Sequence, residues 1–350
     1  MSDMRRWQFW LGVAISLFFL GWVLKDLIPQ FKAFIIVLRT ATYGWLIPGV
    51  AIYFVAVWAR AWRWHYLLRP VKSITTRTLF PITTICYMGN NIYPARAGEV
   101  LRAVILKRHE SVPISASLAT IIIERVFDGV VMLGFVFVNL SELTRLTGGS
   151  GVIAGISIQN IALWGSGIFF GALLVFLVGA MFPQQTEALV AWLSKRIVPA
   201  RFREQVQSVT SKFLSGLEAL RSPADALMVF VTSVVIWLLE TGKYWFVMHA
   251  FHFEVNFFTL MLMNGVVNLA TTIPSAPGYI GTFDKPGIAV LEAYGISTAV
   301  AAGYTLVLHL ALWFPITAVG AIYLAREGLR WNEDLATARA DAKAEAEAEG

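Results

Sequence analysis

The 350-residue sequence has a single cysteine, Cys86, so it holds no intrachain disulfide framework and no multi-cysteine metal site. It is also short of charge, with 14% Asp, Glu, Lys and Arg, where a soluble domain has roughly 25%. Three stretches, 146 to 186, 255 to 283 and 293 to 325, hold no such residue. Each is long enough for a span of about 20 apolar residues, the length that crosses a hydrocarbon core. No nucleophile elbow, kinase signature or Walker sequence occurs, and the "TGK" at 241–243 lacks the upstream glycines of a phosphate loop. With 57% hydrophobic residues and a mean hydropathy of +0.65, the chain reads as a polytopic integral membrane protein.

The charge that is present orients it. Arg5 and Arg6 precede the first apolar run, and no small-x-small cleavage site follows, so a retained first helix is expected. Net charge is +6, and residues 1–325 alone carry 24 bases against 15 acids, or +9. That excess suits loops facing anionic lipid headgroups and not a nucleic-acid surface. Arg69, Lys72 and Arg77 in 67–78, and six bases in 183–223, place those loops in the cytoplasm, while 141–151 and 251–256 are external. Both termini are then cytoplasmic, in a multi-pass cell-membrane protein.

Spans fall near 8–28, 44–66, 112–140, 152–182, 224–250 and 298–324. Intervals 79–108 and 257–295 each enter and leave on one side and break at "YPARAG" and "PSAPGYIG". Pro and Gly at membrane depth are tolerated where protein or a wet cavity satisfies the backbone, which is the pattern of a re-entrant segment. The expected fold is all-α, with about six full transmembrane helices plus two re-entrant broken-helix segments. The membrane domain covers 1–325. Its loop at 183–223 carries an amphipathic helix at 202–220, and an acidic Ala/Glu-rich tail occupies 326–350. Trp58, Trp62 and Trp64 read as an interfacial aromatic belt.

The two breaks match. Pro94 and Pro277, like Gly98 and Gly281, stand 183 residues apart; Arg125 and His309 stand 184 apart. Asn91 and Asn268 lie near the start of each break. Halves at about 44–140 and 224–324 therefore form an inverted-topology repeat, which puts a binding site at the midplane between broken helices.

Polar residues cluster there. Glu124, Arg125 and Asp128 sit inside a span, where an ionisable group costs several kcal/mol unless paired or wet. They read equally as a bridge locking helices and as the lining of a polar path. In "NNIYPARAGEVLRAVILKR", Asn90 and Asn91 precede the break, and Arg96, Glu99 and Arg102 form one helical stripe after it. A helix N-terminus beside two arginines suits a phosphate, and ordinary cytoplasmic flank charge is the competing reading. Glu240 and Lys243 read as a self-satisfied helical pair. His249, His252 and Glu254 read as interfacial, so no metal site is expected, and no cofactor.

The ordered motifs "NNIYPARAGEVLRAVILKR", "ERVFDGVVML" and "PSAPGYIGTFD", followed by a Pro-containing last span, resemble the flippase-like domain family. That family is also called the lysylphosphatidylglycerol synthase transmembrane-domain family. The resemblance covers most of residues 5–325 and implies a domain associated with moving lipids between leaflets, in some members fused to an aminoacyl transferase. Pro94, Arg96, Gly98, Glu99, Arg102, Glu124, Arg125, Asp128, Pro277, Gly278 and Gly281 match its motifs. Asp284 stands where the family more often has Glu, and His309 where Arg is common; a neutral His309 weakens an anion site or makes it pH-dependent. The expected function is moving or presenting an anionic or polyprenyl-phosphate lipid through a midplane polar cavity, by a protein that is not an enzyme. Its partners are a membrane lipid with an anionic headgroup and a separate lipid synthase or transferase. Two rivals stand beside it: a membrane-embedded lipid transferase or phosphatase, and a lipid-binding scaffold.

Overall fold

The computed structural model describes residues 2–93, 96–139, 181–197, 223–272 and 276–326 without interruption, and scattered positions between 152 and 210. Among the described residues the regular structure is helical apart from two paired two-residue strands, Val152–Ile153 and Ile156–Ser157. Helix α1 (Ser2–Leu27) passes through a 3-10 turn at Pro29 into α2 (Phe31–Thr40). Helices α3 (Leu46–Leu68), α4 (Thr76–Ile92), α5 (Ala97–Glu110) and α6 (Ile114–Val138) follow. After α7 (Pro183–Ile197) come α8 (Pro223–Met248), α9 (Phe257–Ala270), α10 (Asp284–Ala293) and α11 (Thr298–Arg326).

Among the described residues four segments are long and apolar enough to cross a membrane: Val13–Thr40, Tyr43–Leu68, Ala224–Met248 and Thr298–Arg326. Helix α6 has comparable length, 25 residues, but carries Glu124, Arg125 and Asp128. The span expected at 152–182 and the amphipathic helix at 202–220 lie largely outside the described residues. The tail beyond 326 and Pro94 lie outside them altogether.

Helices α4, α5, α9 and α10, of 17, 14, 14 and 10 residues, are short. At about 1.5 Å per residue, none reaches the ~30 Å of a hydrocarbon core. Each break has its own local cause. Thr75 caps α4 by accepting from the Thr78 N–H at 3.3 Å, and Asn256 caps α9 by accepting from the Thr259 N–H at 2.7 Å. Between α4 and α5 the chain reverses at Arg96, whose backbone is left-handed at φ 52°. The turn is tight because α5 is pressed onto α4: a Cβ on Gly98 would lie 1.9 Å from the Cys86 carbonyl oxygen. Lys72 Nζ, just before α4, lies 2.8 Å from Glu110 Oε2 at the end of α5. The second break holds the 3-10 turn Pro277–Tyr279 and is clamped by α1. Gly281 sits at φ +81°, where a Cβ would meet Ser16 O at 2.9 Å.

Packing divides into two similar sets. Helix α3 packs on α4 as α8 packs on α9, and α4 and α6 flank α5 as α9 and α11 flank α10. Helix α4 packs on α11 as α9 packs on α6, and the most extensive contact joins α3 to α8. One apolar core cluster takes residues from 61 to 127 plus Val229; another takes residues from 244 to 308 plus Leu27 and Phe34. Trp58 and Trp62 are exposed, as a belt requires, but Trp64 is not part of it. Trp64 is fully buried, its indole donating to Thr120 Oγ1 at 2.9 Å, because at this point α3 turns into the core.

Candidate functional site

A cavity of about 140 Å³ opens where the two breaks meet, walled by α3, α4, α5, α6, α8, α9, α11 and the 3-10 turn Pro277–Tyr279. Its lining is unusually charged for the interior of an apolar bundle. Arg60, Arg96, Arg102, Arg125 and Lys243 face it, with Glu99 and Glu240.

Ion pairs organise these groups. Arg102 spans Glu124 with both terminal nitrogens, Nη1–Oε2 at 2.7 Å and Nη2–Oε1 at 3.1 Å, and its guanidinium lies over the Trp64 ring at 3.4 Å. Arg63 binds Asp128 Oδ1 at 2.7 Å and donates to Ser233 Oγ at 2.6 Å; Trp237 Nε1 also donates to Asp128 Oδ1 at 3.0 Å. Glu240 receives both Arg60 and Lys243, the latter set over the Tyr53 ring. Two arginines are held more loosely. Arg96 lies 3.5 Å from Glu99, and Arg125 reaches Asp128 at 3.3 Å and Glu99 at 3.8 Å. Their side chains are 29% and 36% exposed, whereas that of Arg102 is 5% exposed.

The charges do not balance. Six cations, Arg60, Arg63, Arg96, Arg102, Arg125 and Lys243, face four carboxylates, Glu99, Glu124, Asp128 and Glu240. Two positive charges are left over among the described residues. Asn90 Oδ1, also in the cavity wall, has no hydrogen-bond partner among the described residues.

The far wall is built by the second break. His309 Nδ1 lies 2.9 Å from Asp284 Oδ1 and Nε2 lies 2.7 Å from the Gly278 carbonyl. Both ring nitrogens face acceptor oxygens, so the His309 ring ties α11 to α10 and to the second break. Asp284 Oδ2 also accepts from the Gly281 N–H at 2.8 Å, fixing the turn. His309 on α11 thus meets a carboxylate on α10 as Arg125 on α6 meets Glu99 on α5. Asn91 joins α4 to α11, donating to Thr317 Oγ1 at 3.0 Å and to Trp313 O at 3.3 Å.

Of the residues singled out from sequence, Asn90, Asn91, Arg96, Glu99, Arg102, Arg125, Gly278 and His309 line the cavity. Glu124 and Asp128 stand behind it as partners of its arginines. Gly98 and Gly281 shape the breaks, and Pro277 and Asp284 line an adjoining apolar groove. Arg60 and Arg63 escaped sequence reading, although two arginines three apart inside an apolar run carried the signal. Glu240 and Lys243 do pair with each other, but they belong to the cavity through Arg60.

Residues 9–320 match the family described as "Lysylphosphatidylglycerol synthase TM region", and the chain belongs to that family. Its relatives include a "UPF0104 membrane protein" of Methanothermobacter thermautotrophicus, 23% identical over 345 residues, covering 92% of this chain and 94% of that protein. Another, "UPF0104 membrane protein PH1989" of Pyrococcus horikoshii, is 21% identical over 335 residues, 91% and 96% of the two chains. A third, from Haloferax volcanii, is named "Glycosyltransferase AglD". It is 26% identical over 302 residues, covering 79% of this chain and 48% of that protein, so the chain spans about half its length. That relative overturns the expectation of a non-enzyme: likeness over most of this chain to a protein named as a glycosyltransferase removes the basis for it. No solved structure matches the chain.

Proposed function

From that family membership, we propose that the cavity receives the anionic headgroup of a membrane lipid and presents it at, or carries it through, the bilayer midplane. The observation that carries this reading is the surplus of two cations, six against four carboxylates, in the ion-pair cluster that lines and backs the cavity. Arg96 and Arg125 are the headgroup ligands, because their guanidinium groups are the exposed ones. Arg102, Arg63 and Arg60 are committed to Glu124, Asp128 and Glu240 and hold the wall in place.

In this reading α4–α5 and α9–α10 are re-entrant hairpins of an inverted-topology repeat, with both termini cytoplasmic. The paired packing of α3–α6 and α8–α11, and the Lys72–Glu110 bridge across the mouth of the first hairpin, support it. The test is twofold: mass spectrometry of lipid co-purified with the protein, and leaflet exchange of a labelled anionic lipid in proteoliposomes. A protein that retains no anionic lipid and leaves exchange at the lipid-only rate would sink the proposal.

A second reading takes its support from the relative named as a glycosyltransferase. There the cavity holds a lipid for group transfer, with the rest of the reaction supplied by another domain or protein. Product analysis with labelled lipid and a sugar donor separates this from transport alone.

A further inference from the structure

Two of the cavity's cations share one carboxylate. Arg60 on α3 and Lys243 on α8 both pair with Glu240, and among the described residues neither meets another acid. All three side chains are almost wholly buried, and all three line the polar cavity. Arg60 and Lys243 stand 183 residues apart, the spacing of Pro94 and Pro277, so they occupy matching points of the proposed repeat. They differ in chemistry. A guanidinium keeps its proton in proteins, whereas a lysine ammonium can release one. With Lys243 unprotonated the trio is neutral, one cation against one carboxylate. With Lys243 protonated it carries one positive charge beside the cavity.

We propose that Lys243 is a proton-binding site coupled to the cavity: its Nζ takes a proton from solution as an anion enters and returns it as the anion leaves. This rests on the headgroup reading above and adds the ion that accompanies the headgroup. The step forms one N–H bond with the Nζ lone pair and breaks one O–H bond of a hydronium ion. A singly charged anion and the added proton enter together, so the buried cluster keeps its net charge, and the cost of an unpaired buried charge is avoided.

The surroundings single out this group. Around Lys243, α3 contributes Arg60 and Tyr53, and α8 itself contributes Glu240 and Tyr244. Helix α9 has no ionisable residue. Helix α6 brings Asp128 and Arg125, which pair with each other, and Asp128 also accepts from Trp237 on α8. Helix α11 brings Tyr304, whose hydroxyl donates to the Tyr244 carbonyl, and His309. His309 is the other base of the wall that can titrate, and it has a carboxylate to itself in Asp284.

The full-length protein in detergent is titrated with a short-chain phosphatidylglycerol, a diester whose own charge does not change near neutral pH. The solution is weakly buffered and carries a pH-indicating dye. Uptake of up to about one proton per anion bound is expected, with affinity falling up to about ten-fold per unit rise in pH as Lys243 loses its proton. Lys243→Arg is expected to bind the anion without that uptake and with a flatter pH profile, and Lys243→Met is expected to show no uptake either. Binding without uptake in the unaltered protein, or uptake undiminished in either variant, overturns the assignment and leaves the headgroup site standing. Should both variants fail to fold, His309→Gln decides: protons taken up per bound anion are expected to persist, and their loss moves the site to the histidine. No binding of the anion by the unaltered protein strikes at the headgroup reading itself, and the coupling falls with it.

Discussion

Arg102 and Glu124 meet through two parallel contacts, 2.7 and 3.1 Å, and both side chains are almost entirely buried. The pair joins α5 to α6 immediately after the first break, so it fixes where the helix carrying Arg96 and Glu99 begins. Both terminal nitrogens of its guanidinium are engaged by Glu124, while Nε has no hydrogen-bond partner among the described residues. Glu124→Leu is expected to cost about 3–5 kcal/mol, because it strands a buried guanidinium. The double change Arg102→Met with Glu124→Leu is expected to cost much less, since a neutral apolar pair of similar volume replaces a desolvated ion pair. Thermal unfolding of the detergent-solubilised variants checks this, and additive losses would contradict it.

Arg96 has a different task and a different expected phenotype. Its side chain is 29% exposed and its contact to Glu99 is long, 3.5 Å. Arg96→Lys keeps the charge but loses the planar fork that grips a phosphate, so lipid affinity should fall about ten-fold with thermal stability unchanged. Lys107→Arg, far down α5 from the break, should alter neither. Equal lipid retention in all of these proteins would return the arginines to an ordinary charged flank.

Gly98 sets the distance between α4 and α5. With a Cβ 1.9 Å from the Cys86 carbonyl and 2.7 Å from Asn90 Oδ1, Gly98→Ala forces backbone apart. We expect a loss of about 1–3 kcal/mol or more, and displacement of Asn90 from the cavity wall. Gly134→Ala is the control, having no atom within 4 Å of its added Cβ. It should be neutral or slightly stabilising through helix propensity. Unfolding temperatures of the two variants, measured side by side, check the contrast.

The sequence made the breaks visible because Pro and Gly interrupt apolar runs, and it made Glu124, Arg125 and Asp128 visible because charge inside a span is costly. It hid who pairs with whom. Arg60 meets Glu240 across 180 residues and Arg63 meets Ser233 across 170, partnerships that no local spacing encodes. Trp64 was misplaced for a related reason. An aromatic belt and an aromatic core residue have the same letters, and only the face of α3 that turns toward Thr120 and Arg102 separates them. The apolar groove was invisible because two of its walls, α1 and α11, read from sequence as plain spans, and α2 was not read as a helix.

The last prediction concerns how the two broken segments sit in the membrane. Lys72 Nζ lies 2.8 Å from both a carboxylate oxygen and the backbone carbonyl of Glu110, so the chain comes back to the place where α4 began. A hairpin of 17 and 14 helical residues tied at its mouth keeps its ends together, as the proposed re-entrant arrangement requires, whereas a single span would separate those ends by about 30 Å. On a Cys86→Ser background, Ser73→Cys and Ser111→Cys, both exposed, should therefore react with a membrane-impermeant thiol reagent from the same side. Glu254→Cys and Ser297→Cys bracket the second hairpin and are also exposed, and both should react from the opposite side. Agreement within each pair with disagreement between pairs is the pattern an inverted repeat requires. Labelling of 73 and 111 from opposite sides would make α4 and α5 one crossing, and would move the Arg96 end of α5 out of the midplane on which the headgroup site depends.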